Sequence, residues 1–169
     1  MIDLFILRHG AAVSREEWAP KRESERPLTA KGEKQICRIG KALRNGEFSF
    51  GLILTSPYVR ARHTAEIVAA SLHQEEKLKL SQSLKPQSSP RAFLDEARHL
   101  FGSAESVLVV GHEPFLTGLI SLLIRADAQT QLKLKKGGLC KLKVEALKPG
   151  GGLLEWLLTS RQAAAMGDA

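Results

Sequence analysis

Three short stretches of this chain are apolar at every position: L-F-I-L at 4–7, L-I-L at 52–54 and V-L-V-V at 107–110. A strand with one wet face alternates apolar and polar residues, so a continuous run must be covered on both faces. Each run is followed, within one short loop, by a segment that leads into helical spacing. Buried strands alternating with helices predict an α/β fold of three layers, α/β/α, around a mostly parallel central sheet.

The punctuation between these segments agrees. Thr29 reads as an N-cap for a helix over 31–44, whose apolar stripe is Ile36, Ile39, Ala42 and Leu43, and Asn45-Gly46 ends it. A strand over 50–55 stops at Ser56-Pro57, and a helix follows over 58–72 with Ala65, Val68, Ala69 and Leu72 on one face. A weaker strand at 77–80, a Pro- and Ser-rich loop and a helix at 91–101 precede the strand at 106–110 and a helix at 115–124. The charged stretch at 13–26 has no firm period and reads as a surface loop.

The carboxyl third differs. Residues 132–136 and 139–147 alternate apolar residues with lysine around Gly137-Gly138, which predicts an antiparallel hairpin at the sheet edge. A last strand is expected over 153–158, and the alanine-rich tail is expected to fray. The organisation is one domain over 1–160 with a tail at 161–169.

Charge narrows the partners: 25 Lys and Arg stand against 18 acids, a net +7 that favours anionic ligands. The two cysteines, Cys37 and Cys140, lack metal or redox spacing and read as core thiols. The opening run carries Asp3 and is too short for a signal segment, so a cytoplasmic location is expected, with no membrane, metal or cofactor.

In an open α/β sheet, ligands bind beyond the carboxyl ends of the strands. Three strands here end in polar groups: Arg8-His9-Gly10, Ser56-Pro57 with Arg60 and Arg62 just after, and Gly111-His112-Glu113-Pro114. If those ends are adjacent, two imidazoles and at least two guanidiniums converge. Guanidinium forks match phosphoryl oxygens bidentately, and a neutral imidazole can attack phosphorus and carry the group as a phosphoramidate. Helix amino termini after the second and fourth strands would add N–H donors. His63, His73 and His99 fall within or at the ends of helices and read as surface or packing residues.

The blocks L-R-H-G at 7–10, R-P-L-T-A-K-G at 26–32, S-P-Y-V-R-A-R-H-T-A at 56–65 and V-V-G-H-E-P at 109–114 resemble, in order, those of the histidine phosphatase (phosphoglycerate mutase-like) superfamily. The short chain and the R-P-L-T-x-x-G block are most similar to the SixA-type phosphohistidine phosphatases. The resemblance implies that His9 is the nucleophile, that Arg8, Arg60 and His112 complete the phosphate pocket, and that Gly10 has a conformational role. The substrate it implies is a phosphohistidine-bearing protein, with inorganic phosphate as product.

One departure stands out. Many mutases and phosphomonoesterases of this superfamily place a carboxylic acid after the third strand, whereas residues 81–94 contain none. The candidates left are Asp95, Glu96 and Glu113. An alkoxide gains about 10²–10⁴-fold from general acid catalysis, while an imidazole leaves a P–N bond with much less help, so a weak acid site points toward phosphohistidine. The alternatives are a small-molecule phosphomonoesterase or sugar phosphatase with Glu113 as acid, a binding-only pseudo-enzyme, and a basic nucleic-acid binding module using the lysines of the hairpin. An aromatic content of 5%, with none in the hairpin, offers no stacking platform for the last.

Overall fold

Alternate residues of strand β1 (Ile2–Arg8) face opposite layers: Leu4 and Ile6 enter one apolar cluster, and Phe5 and Leu7 the other. Strand β4 (Ser106–Gly111) divides the same way, Val107 and Val109 to one side and Leu108 and Val110 to the other. So does β2 (Leu52–Thr55), through Leu52 and Leu54 against Ile53. The continuous apolar runs are therefore strands buried on both faces. The computed structural model describes residues 1–125 and 130–166.

Helices α2 (Ala30–Asn45) and α3 (Val59–Leu72) cover the Phe5/Leu7 face with the carboxyl-terminal α6 (Ser160–Ala165), and α4 (Pro90–Leu100) and α5 (Phe115–Arg125) cover the Leu4/Ile6 face. With β3 (Leu78–Leu80), β5 (Leu139–Val144) and β6 (Gly152–Leu158), the six strands lie in the order β3-β2-β4-β1-β5-β6. The first four are parallel and the last two antiparallel, as the sequence predicts. A fully buried Leu, Ile or Val contributes about 1.5–3 kcal/mol, against under about 1 kcal/mol for an exposed ion pair. Burial on the two sheet faces thus outweighs pairs such as Arg62–Glu66 in specifying the fold.

Local signals place the helices. Thr29 Oγ1 accepts from Gly32 N at 3.0 Å and donates to the Ala11 carbonyl at 3.2 Å, so one side chain caps α2 and ties it to the chain just after His9. Ser89 caps α4, with Pro90 in its first turn. No helix of the described residues is long and apolar enough to cross a membrane.

Four expectations need correction. The stretch at 13–26 contains a one-turn helix, α1 (Arg15–Trp18), and a 3₁₀ turn at Glu23–Glu25. Residues 132–136 form no strand, because their end of the chain serves β1: Leu134 O accepts from Arg8 Nη1 at 2.9 Å, and Gly137 N donates to the carbonyls of Arg8 and His9. The hairpin is instead β5–β6, joined through 145–151. The tail does not fray at 160–165 but forms α6, closed by a Thr159/Gln162 capping box and buried through Ala163, while 167–169 lie outside the described residues. Cys37 is exposed, since it falls on the outer side of α2 from the Ile36/Ile39 stripe; Cys140 is buried, which pushes its thiol up to about 12.

Candidate active site

Strand order brings the three polar strand ends together. β4 lies between β1 and β2, parallel to both, with Arg8 in register with Gly111 and Thr55 with Val110. The carboxyl ends therefore share one edge, and a cavity of about 430 Å³ opens there, lined by Arg8, His9, Tyr58, Arg60, His112 and Glu113 among others. Arg8, His9, Arg60, His112 and Glu113, the residues the sequence points to, all line it. Arg62 turns away and pairs with Glu66 at 3.4 Å, and His63 reaches Glu33 at 3.8 Å.

His9 sits one residue past β1 and is buried. Its Nδ1 lies 2.8 Å from the Gly10 carbonyl, an acceptor only, so Nδ1 carries the proton and Nε2 keeps its lone pair. Nε2 in turn accepts from Arg60 Nε at 3.3 Å. Burial, reinforced by Arg60, Arg8 and Arg26, pushes the ring down to about 3, although the Gly10 bond acts the other way. A neutral imidazole with a directed lone pair is the form that can attack an electrophile.

Gly10 leaves room for this arrangement. A Cβ there would lie 2.8 Å from Ile36 Cγ1 and 3.1 Å from the Gly32 carbonyl oxygen, while Gly10 N donates to Thr64 Oγ1 at 3.1 Å. The bend after His9 is thus pressed against α2 and α3. Its role is conformational.

Arg60, in the first turn of α3, is nearly inaccessible, and its guanidinium nitrogens are all engaged: Nε with His9, Nη1 with the Glu23 carbonyl at 2.9 Å and Nη2 with the Glu23 carboxylate at 3.1 Å. Burial lowers it to about 10, with Arg26 adding to the shift and Glu23 opposing it. Arg8 is half-buried, and burial lowers it while Glu113 opposes the shift. His112 places Nε2 2.9 Å from Ser56 Oγ, and its ring centre lies 5.1 Å from that of His9. Burial pushes it down to about 2, with His9 and the nearby arginines adding to the shift. Arg8 Nε and His112 Nδ1 are buried without a protein partner, an arrangement suited to an anionic ligand.

Three residues escape the sequence reading. Glu23, on the stretch read from sequence as a surface loop, accepts from Arg26 Nε at 3.0 Å and Nη2 at 2.8 Å and also pairs with Arg60. The spacing of Glu23 and Arg26, three apart, was a legible pairing signal. Tyr58 sets its ring 5.4 Å from His112 and 5.3 Å from the Arg60 guanidinium carbon. Lys136 lines the cavity because 132–138 folds over the end of β1, and burial lowers its amine, helped by Arg8, Arg26 and Arg60. No local pattern marks it.

Glu113 also lines the cavity, yet its carboxylate accepts from Thr117 N at 3.2 Å through Oε1 and from Thr117 Oγ1 through Oε2. The loop after β3 contributes Pro86 and Gln87, and neither is an acid. Asp95 and Glu96 are exposed on α4 and do not line the cavity. The site can therefore hold a tetrahedral oxyanion among two guanidiniums and two imidazoles, with one atom placed to attack it.

Known proteins resemble this chain in sequence and in fold. The sequence model described as "Histidine phosphatase superfamily (branch 1)" matches residues 4–85. An uncharacterized protein of Picosynechococcus sp. is 34% identical over 151 residues, covering 87% of this chain and 88% of the relative. Among solved structures, the protein histidine phosphatase SixA complexed with tungstate superposes with a TM-score of 0.83 at 23% identity, covering 95% of this chain and 99% of the other. The alpha-ribazole phosphatase from Shigella flexneri superposes with a TM-score of 0.72 at 19% identity, covering 94% and 97%. At these identities the structural likeness is one of fold, which for this chain is the histidine phosphatase fold. The matched family model and the relative aligned along most of both lengths establish that this chain belongs to the histidine phosphatase superfamily.

Proposed function

We propose that this protein hydrolyses phosphohistidine on a protein substrate through a covalent intermediate on His9. The Nε2 lone pair attacks phosphorus while the substrate's P–N bond breaks, and the electron pair leaves with the substrate ring. That ring, protonated on its second nitrogen, departs as neutral imidazole. Water then attacks phosphorus of phospho-His9, the new P–N bond breaks, inorganic phosphate leaves and Nε2 recovers its lone pair. Arg8, Arg60 and His112 hold the equatorial oxygens during both transfers.

The observation that carries the choice of leaving group is the engagement of Glu113. Both of its oxygens already accept hydrogen bonds from Thr117, and the loop after β3 supplies only Pro86 and Gln87. Of the other carboxylates that line the cavity, Glu23 is held by Arg26 and Arg60 and Glu16 lies exposed on α1; the engagement of Glu113, the acid beside His112, suits an imidazole leaving group better than an alkoxide. The test compares hydrolysis of a phosphohistidine peptide with a panel of small phosphate esters. Faster turnover of the peptide is expected; faster turnover of an ester reverses the assignment.

A small-ester phosphatase is the second reading, favoured by the presence of Glu113 in the cavity wall. Trapping tests the nucleophile in either case. A labelled phosphodonor should leave acid-labile, base-stable label on the protein, and His9→Ala should remove it. Label that survives the substitution overturns the role given to His9.

A further inference from the structure

The lysines of the hairpin, read from sequence as a candidate basic surface, are in part neutralised. Lys141 pairs with Glu155 at 2.8 Å and Asp3 at 3.3 Å, and Lys143 with Asp3 at 2.5 Å. The cations of α2 are not. Lys31, Lys34, Arg38 and Lys41 recur at intervals of three, four and three residues, which sets them along one side of the helix. Across from them α6 presents Arg161, and the five surround a groove of about 990 Å³ floored by Ala30, Ala42, Ala164 and Ala165. None of the five has an ion-pair partner among the described residues.

This stripe works against the helix that bears it. Like charges three and four residues apart repel, and Lys31 and Lys34 stand near the amino terminus of α2, where the helix dipole favours anions. A bound acidic surface relieves both effects. The groove also adjoins the catalytic cavity. Gln35 stands between them: its Oε1 accepts from Ala11 N at 3.1 Å, and its Nε2 donates to Ser160 Oγ at 2.8 Å and to the Lys136 carbonyl at 3.1 Å. Lys136 lines the catalytic cavity, and Ala11 lies two residues past His9.

We propose that the groove between α2 and α6 docks an acidic helical segment of the phosphorylated protein substrate, a proposal that rests on the protein-phosphohistidine reading above. The alanine floor admits apolar side chains of such a segment, and the cationic rim meets its carboxylates. From Lys31 to Lys41 the stripe runs about 15 Å, close to three turns of a docked helix. No aromatic residue lines the groove, so bases would find nothing to stack on.

The test uses a fluorescent helical peptide of about 16 residues, leucine on one face and glutamate on its flanks, titrated into the whole protein at low salt. Binding is expected, and the double variant Lys34→Glu/Arg38→Glu should weaken it by about tenfold or more. Absence of binding, or equal binding by the double variant, overturns the proposal. A duplex oligonucleotide that binds more tightly and displaces the peptide overturns it in favour of nucleic acid. Kinetics separate this surface from the active site: with phosphohistidine built into the peptide, the double variant should raise KM about tenfold, while turnover of free phosphoimidazole stays within about twofold. Loss of phosphoimidazole turnover in the double variant refutes a purely docking role. An unsubstituted enzyme that binds the peptide but leaves phosphoimidazole intact refutes the phosphohistidine reading and leaves the groove standing.

Discussion

Arg60 Nε donates to His9 Nε2 across 3.3 Å, and the same guanidinium reaches the Glu23 carboxylate at 3.1 Å. The atom proposed to attack phosphorus is therefore aimed at the cation proposed to hold the phosphoryl oxygens, and that cation is positioned by an internal carboxylate.

Replacing Arg60 by lysine keeps a charge but loses the fork that engages His9 and Glu23 together. Loss of one such donor costs about 10²–10³-fold in kcat, and Arg60→Lys is expected to fall in that range with phosphoimidazole as substrate. A loss below about tenfold would deny Arg60 a part in stabilising the transferring group.

Acid should weaken the fold through the two site imidazoles. In the folded protein His9 and His112 take up protons only near about 3 and about 2, against an ordinary value of 6.5. Between those limits the unfolded chain binds more protons, so stability falls as pH drops below about 6.5 and neither ring contributes above it. The melting temperature should decline through that window, and more shallowly in a His9→Asn/His112→Asn variant. Identical slopes would contradict the burial of two neutral rings. For the same reason, kcat/KM should show no acid limb centred near pH 6.5 that His112→Asn removes.

Glu113→Gln should change phosphohistidine hydrolysis by less than about tenfold, because both carboxylate oxygens are already engaged by Thr117 and an imidazole leaves with little help from an acid. A loss of several hundredfold in steady-state assays would make Glu113 the acid and move the substrate class toward esters.

Glu23 already occupies Arg60 and Arg26 and is expected to compete with a phosphoryl group for them. With the charge removed in Glu23→Gln, inorganic phosphate should inhibit about three- to tenfold more tightly, the range of a partly exposed ion pair. Weaker inhibition would show that Glu23 orients Arg60 for the anion more than it opposes the anion.

Gly32→Ala probes the packing that seats the loop after His9. The added Cβ would lie 2.0 Å from the Ala11 carbonyl oxygen, a backbone atom with little freedom to retreat. Overpacking of this kind costs about 1–3 kcal/mol. Denaturant titration should show the loss, and an unchanged midpoint would mean that α2 and the loop move apart freely.

The residues that line the candidate site were largely legible in the sequence. Arg8-His9, Arg60 and His112-Glu113 are polar groups placed directly after buried strands, and such positions have few structural reasons to be polar. Glu23 carries only its spacing from Arg26 as a signal, and for Tyr58 and Lys136 nothing local distinguishes a loop residue that turns inward from one that faces water. The hairpin was misplaced for a related reason. Leu132–Lys136 has the alternation of a strand, but its neighbours use backbone groups to close the end of β1, and period alone does not say which partner a segment takes.

By itself the sequence determined the layers, the parallel core and the strand ends where chemistry could sit, since apolar periodicity and helix caps act over a few residues. Only the tertiary structure decided that β4 lies between β1 and β2, that His9 presents Nε2 to Arg60, and that Glu113 is held by Thr117. It also separated the matched lysines of the hairpin from the unmatched cations along α2. Adjacency across a sheet and the pairing of charges depend on residues distant in the chain, and no local spacing encodes their distance.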